Sequence, residues 1–380
     1  MSTCSMAAAP FLFTPVESGL GGLTLGLLAF AKLQITGRIL GISGAVNGLL
    51  KGFTEAWRVA FVVGLLAGGL LLRTLLPTAF EMFPEAYSLP RAALAGLLVG
   101  LGTARGSGCT SGHGICGNAR LSLRSFVATC SFMFSGAVTA WLADTAGVFG
   151  LPGGLAPLAA SLPLTPTARF GAGLLAAAVV TTSVLALAAR RLTAPARASS
   201  AVVKEELSEA SQVERTPLTG TPPAALPDAQ KLAALSTAAD LFIGLLFALG
   251  LGVSGMLKPS KVAGFLSVIA GTFDPSLMCV MGGALLLALP AFQWALRHVR
   301  SGGHPLANVC YELPSKTAVD GNLVWGALLF GAGWGLGGIC PGPGLVALAS
   351  LQPKAFLFIA AMLLGQRLDH TVDKVVCATK

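Results

Sequence analysis

Long apolar stretches alternate with short polar, glycine- or proline-rich breaks along most of this chain. Residues 19–34, 55–76, 121–141 and 168–189 are long and apolar enough to read as membrane helices, since a span needs about 20 residues to cross ~30 Å of hydrocarbon. The run 91–103 makes a fifth span before residue 190. The stretch 38–50 is different. It holds only 13 residues and three glycines, which predicts a re-entrant half-helix rather than a span. After residue 235 the pattern returns, with spans at 240–253, 275–296, 321–336 and 355–368 and a short element at 262–270.

Between the two apolar blocks, residues 191–235 collect Pro, Thr, Ser and local charge, including Glu205, Glu206 and Glu209. So little apolar content predicts a flexible polar linker. Arg190 and Arg191 beside a span favour the cytoplasm for it. The expected organisation is a tail at 1–18, a first membrane repeat with an extra span at 19–190, the linker at 191–235, a second repeat at 236–370 and a tail at 371–380. Five spans before the linker would leave the two repeats inverted in the bilayer. The fold class is therefore an all-α polytopic membrane protein.

Composition sharpens that class. Of 380 residues, 54% are hydrophobic and only 11% charged, against about 25% charged in soluble domains. Mean hydropathy is +0.77. The net charge of +9 comes from basic residues scattered singly, which argues against nucleic acid as a partner. It fits residues flanking spans on the positive side of a membrane, with some attraction for anions. No nucleotide-binding motif and no cofactor motif is present, and the apolar run after residue 19 lacks the basic flank of a signal peptide.

The candidate chemistry lies in two glycine-rich breaks. The first, residues 106–118, packs five glycines and two cysteines into 13 residues. At roughly 1 kcal/mol per glycine a helix is disfavoured, so the expectation is an irregular loop whose glycines take positive φ. Irregular backbone at membrane depth survives only where protein buries it or it lines a cavity. The second break, 331–344, repeats the first. Gly331, Gly333 and Cys340 stand in the register of Gly100, Gly102 and Cys109, each cysteine nine residues after the first glycine. Paired broken segments in two halves mark a midplane site in repeat-built transporters.

The sequences Gly108-Cys-Thr-Ser-Gly-His-Gly-Ile-Cys-Gly117 with Arg120, Ser254-Gly-Met-Leu-Lys-Pro-Ser-Lys-Val-Ala-Gly264 and Gly337-Gly-Ile-Cys-Pro-Gly-Pro-Gly344 resemble the YeeE/YedE sulfur-transport family. With their spans they cover most of 19–143 and 237–370. The resemblance implies two half-length units fused in one chain, moving thiosulfate or a related sulfur anion, with Cys109 and Cys340 as the substrate-handling thiols. The first half-helix departs from the pattern, carrying Ser43 where a further cysteine would stand. A third thiol on the path would have to be Cys116.

The chemistry fits without the family. Thiosulfate has one soft sulfur and three hard oxygens. A thiol, weak both as donor and acceptor, can hold the sulfur without trapping it, as conduction requires. Backbone N–H groups at glycine turns and helix N-termini suit the oxygens. The candidate pathway is thus Cys109, with Gly108, Thr110, Ser111, His113 and Cys116 in the first break, and Gly338 and Cys340 in the second. Lys258 and Lys261 at the second short element either anchor it or attract anions. His113 is either a pore residue or a brace for its loop. With Cys109 and Cys116 it gives only three metal ligands, short of a structural zinc set. Cys130, Cys279 and Cys377 read as small apolar fillers.

Two other classes compete. A membrane thiol-redox protein would cycle Cys109 and Cys116, although their spacing is not that of redox Cys-x-x-Cys helices. A structural or receptor protein would leave the duplicated breaks without a reason. The expected partners are the lipid bilayer, with the plasma membrane as location, a small sulfur anion, and a cytoplasmic sulfur-handling protein.

Overall fold

The computed structural model describes residues 13–151, 165–210 and 229–378, apart from 270, 271, 302, 309 and 315, and for 194–210, 229 and 370–378 the backbone only. The prolines at 152, 157 and 163 and the linker centre, 211–228, lie outside the described residues. Before the break come α1 (Pro15–Thr36), α2 (Ile42–Leu50), α3 (Ala56–Leu75) and α4 (Leu89–Arg105). A wide π-helical segment (Thr110–Gly117) then leads to α5 (Leu123–Leu142), the short α6 (Thr145–Val148) and the long α7 (Pro166–Ala210). The second half follows with α8 (Ala229–Val253), α9 (Pro259–Leu266), α10 (Ser276–Arg300), α11 (Gly321–Gly337), α12 (Pro341–Ala347) and α13 (Pro353–Ala378). Seven helices among the described residues are long and apolar enough to cross a membrane. At 17 residues α4 is just shorter, and it lies against α13.

Most boundaries fall within a few residues of the sequence expectation, and the differences have causes. Pro259 occupies the first turn of α9, where its fixed φ suits a helix start and its missing N–H is no loss. The element therefore begins and ends a few residues before 262–270. The helix α7 continues to Ala210, about twenty residues into the stretch read as linker. Its sequence there holds five alanines with Leu, Arg and Glu interspersed, all good helix formers that outweigh the single Pro195. Likewise α13 runs on to Ala378, past the expected end at 368.

The same order of elements occurs on both sides of the linker, and the packing exchanges the halves. α1 packs on α10 as α8 packs on α3, and α4 packs on α13 as α11 packs on α5. Small residues make this possible. Gly22 and Gly26 of α1 face the carbonyls of Val280 and Ala284, and Gly64 and Gly68 of α3 face those of Leu241 and Leu245. Gly96 and Gly100 meet Phe358 and Met362, while Gly331 and Gly335 meet Phe132 and Gly136. A Cβ at nearly all of these positions would collide with the neighbouring backbone. Four glycine pairs at four-residue spacing thus join one half to the other by close backbone approach, which drives helix association where lipid removes the usual hydrophobic force.

This makes a direct prediction. Gly64→Val or Gly22→Val should lower the melting temperature of the detergent-solubilised protein, with an overpacking cost of about 1–3 kcal/mol each. Gly173→Val, where an added Cβ meets nothing within 4 Å, should melt with the parent. A thermal unfolding series would detect the difference, and equal melting of all three would remove the close-approach argument.

The outer faces carry exposed Leu70, Leu71, Phe134, Val180, Leu187 and Leu286, as lipid contact demands. Trp141 at the end of α5 and Trp325 near the start of α11 are exposed too, where indoles favour the membrane–water boundary.

Candidate functional site

The short elements are the ones that gather at the centre. A cavity of about 230 Å³ is lined by Ile42 of α2, by Cys109, Thr110, Ser111, Gly114 and Ile115 of the first break, by Phe265 of α9, and by Cys340, Gly342 and Pro343 at the start of α12. Leu25 of α1, Phe132 of α5, Phe247 of α8, Met281 of α10 and Trp334 of α11 also stand on the wall. Cys109 and Cys340, 231 residues apart in sequence, therefore face one space.

Both thiols hold equivalent positions. Cys109 is extended (φ −132°, ψ −166°) and caps the start of the π segment. Cys340 is extended (φ −111°, ψ 170°) and caps the start of α12. Each is buried and free. The Cys109 sulfur lies 3.3 Å from the Ser111 hydroxyl. The Thr110 hydroxyl donates to the Cys340 sulfur at 3.6 Å, tying the first break to the second.

The first break is more ordered than its composition suggested, and its glycines serve another purpose than the one expected. None of Gly106, Gly108, Gly112, Gly114 and Gly117 takes positive φ; Ser107 does, at 59°. The glycines instead leave room. A Cβ at Gly108 would press on the His113 ring at 2.6 Å, and one at Gly117 would meet the Ser125 side chain. The wide π turn keeps the backbone hydrogen-bonded, and π segments concentrate at functional sites. In the second break one glycine does take positive φ: Gly338 ends α11 in the left-handed region (φ 67°), while Gly331, Gly333, Gly335 and Gly337 lie in α11 itself.

Other residues from the sequence reading stand off the cavity wall. His113 lies between Gly106 and Ser125, with Nε2 3.1 Å from the Gly106 carbonyl and Nδ1 3.1 Å from the Ser125 hydroxyl. A carbonyl can only accept, so Nε2 carries the proton and Nδ1 accepts from Ser125. The Cys116 thiol donates to the Leu40 carbonyl at 3.4 Å. Lys261 bonds Thr14 and Ser276 and pairs with Asp274, while Lys258 caps the start of α9. Of the other cysteines, Cys130 is exposed on α5 and Cys279 is half-buried, so Cys130 faces outward rather than filling a core. The side chain of Cys377 lies outside the described residues.

Sequence reasoning missed Trp334. It lines the cavity, is 2% exposed, and its indole N–H has no hydrogen-bond partner among the described residues. Phe330 stacks on it at 6.3 Å and Phe132 meets its edge at 5.9 Å, fixing the ring. Buried indole N–H groups normally find a partner. The signal available was a lone tryptophan amid the glycines of 331–338.

Arg124, at the start of α5, holds the other side of the break. It donates to the Ala318 carbonyl and pairs with Asp320, which caps α11. The Leu323 N–H that Asp320 accepts, together with Arg124, holds its carboxyl below the usual carboxylate range.

The cavity is thus mostly apolar, with two buried thiols and few hydrogen-bond donors on its wall. Residues 5–139 match the model of a sulphur transport family, and residues 235–380 match a family of unknown function (DUF6691). A probable transporter of Xylella fastidiosa strain Temecula1 is 43% identical over 125 residues, 33% of this chain and 82% of that protein. A second probable transporter of the same strain is 52% identical over 124 residues, 32% of this chain and 89% of that protein. The protein is a multi-pass membrane transporter. It belongs to the sulphur transport family, that of YeeE and YedE.

Proposed function

We propose that the chain carries thiosulfate across the plasma membrane through the cavity shared by Cys109 and Cys340, towards a sulfur-handling protein in the cytoplasm. The carrying observation is that thiols from opposite halves line one buried space of about 230 Å³. The two halves act as inverted repeats: α1 and its counterpart α8 run antiparallel, with Gly21 near Ser254 at one end and Lys32 against Asp240 at the other. In this reading α2, α9 and α12 are re-entrant, together with the π segment.

The division of labour follows from softness. The terminal sulfur lies against the Cys109 and Cys340 thiols, and the oxygens take the Trp334 indole N–H, the Ser111 hydroxyl and the Thr110 hydroxyl, whose proton turns from the Cys340 sulfur to the anion. Weak thiol contacts let the anion leave again. Sulfate finds the same oxygen donors and no match for the thiols. The redox alternative finds less support, because Cys116 bonds Leu40 and is off the cavity wall.

Uptake of radiolabelled thiosulfate and sulfate into liposomes holding the purified chain tests this. Thiosulfate is expected to win by about tenfold, the equivalent of about 1.4 kcal/mol. Equal uptake of both anions would sink the thiol role. Trp334→Phe keeps the ring and loses the donor. A hydrogen bond to a charged group contributes about 1.5–3 kcal/mol, so half-saturation should rise roughly tenfold or more with folding unchanged.

A further inference from the structure

Two helical turns from the cavity lies a charged pair that transport through the thiols does not use. Leu25 of α1 and Phe247 of α8 line the cavity. Lys32 and Asp240 stand seven residues further on each helix, towards the same end because the helices are antiparallel. Seven residues is about two turns, so each pair shares a helix face and lies about 10 Å apart along the axis. Lys32 and Asp240 are both fully buried and form an ion pair. Beyond them the charges step outward, with Arg38 at 3.6 Å from the second Asp240 oxygen and at 3.1 Å from Glu312, whose side chain is 50% exposed.

One feature of the pair sets it apart from a static brace. Asp240 Oδ2 is buried and accepts no hydrogen bond from the described residues. Around the pair α3 offers only the rings of Trp57 and Phe61, over which the Lys32 ammonium sits at 5.0 and 4.6 Å. Leu185 and Ala189 of α7 are apolar. Among the described residues, the charged groups facing Asp240 are thus Lys32, Arg38 and Glu312. Ionisable side chains at this depth mark ion or proton pathways.

We propose that Asp240 is the proton-coupling residue of the transporter and Lys32 the anion's station beside it. A proton from water adds to the Asp240 oxygen that accepts no hydrogen bond, beside Arg38, and neutralises the carboxylate. Lys32 is then released to donate to an oxygen of the arriving dianion, so one proton travels with one anion. On the far side the anion leaves, the proton returns to water and the pair closes again. The inference rests on the transport reading above.

The experiment uses liposomes holding the full chain, with the membrane voltage clamped at zero by potassium and an ionophore. Without gradients, thiosulfate equilibration reads transport itself. With the lumen one pH unit more alkaline than outside, coupling to one proton should concentrate thiosulfate about tenfold inside, and thiosulfate entry should acidify the lumen. Asp240→Asn should equilibrate thiosulfate without concentrating it. Should that variant fail to insert, Asp240→Ser, which likewise cannot take up the proton and leaves Lys32 in place, is expected to behave the same way. No equilibration removes the transport reading and this inference with it. Equilibration without concentration in the parent, or concentration retained in either variant, overturns the coupling alone.

Discussion

Cys340→Ser by itself is expected to lose thiosulfate uptake by at least about tenfold, and Cys109→Ser to lose as much, with the double variant scarcely worse than either. Groups acting as a unit are not additive, and both sulfurs face one cavity. Serine keeps a donor of similar size and loses the soft sulfur, so the loss reads sulfur chemistry rather than packing. Cys130→Ser, on the exposed face of α5, should transport like the parent and serves as control. Uptake at matched expression decides the matter. Two half-active single variants with a dead double would mean two separate routes, and the shared cavity would then lose its role.

Lys32→Met should be the most damaging single substitution for stability, by about 3–5 kcal/mol, because it leaves Asp240 charged, buried and without its partner. Adding Asp240→Leu should restore most of that loss, since replacing a buried pair by apolar groups is often neutral or better. Unfolding of the detergent-solubilised parent, single and double variants gives the coupling directly. A single variant as stable as the parent would show that water already reaches Asp240. Stability and coupling are separate readouts here: the double variant can be well folded and still fail to concentrate substrate against a pH step.

Some of this was legible in the chain before any fold was known. The apolar runs placed nearly every helix, because lipid admits no other way to satisfy the backbone over that length. The repeated spacing of Gly100, Gly102 and Cys109 at Gly331, Gly333 and Cys340 picked out the two thiols that share the cavity. The glycines misled in one respect. Their number suggested unwound, left-handed backbone, whereas Gly108 and Gly117 are there to admit the His113 ring and the Ser125 side chain.

What the sequence determined by itself was local: helix type, the places where helices break, the duplicated order and the pair of cysteines in register. These follow from side-chain polarity and backbone freedom, which each residue carries wherever it lies. Tertiary structure alone decided that Cys109 and Cys340 line one cavity, that Trp334 brings to it an N–H without a partner among the described residues, and that Lys32 finds Asp240 across 208 residues. Those facts depend on which helix faces touch. Gly22, Gly26, Gly64 and Gly68 set that by close packing between the halves, and a single residue's chemistry does not reveal its neighbour.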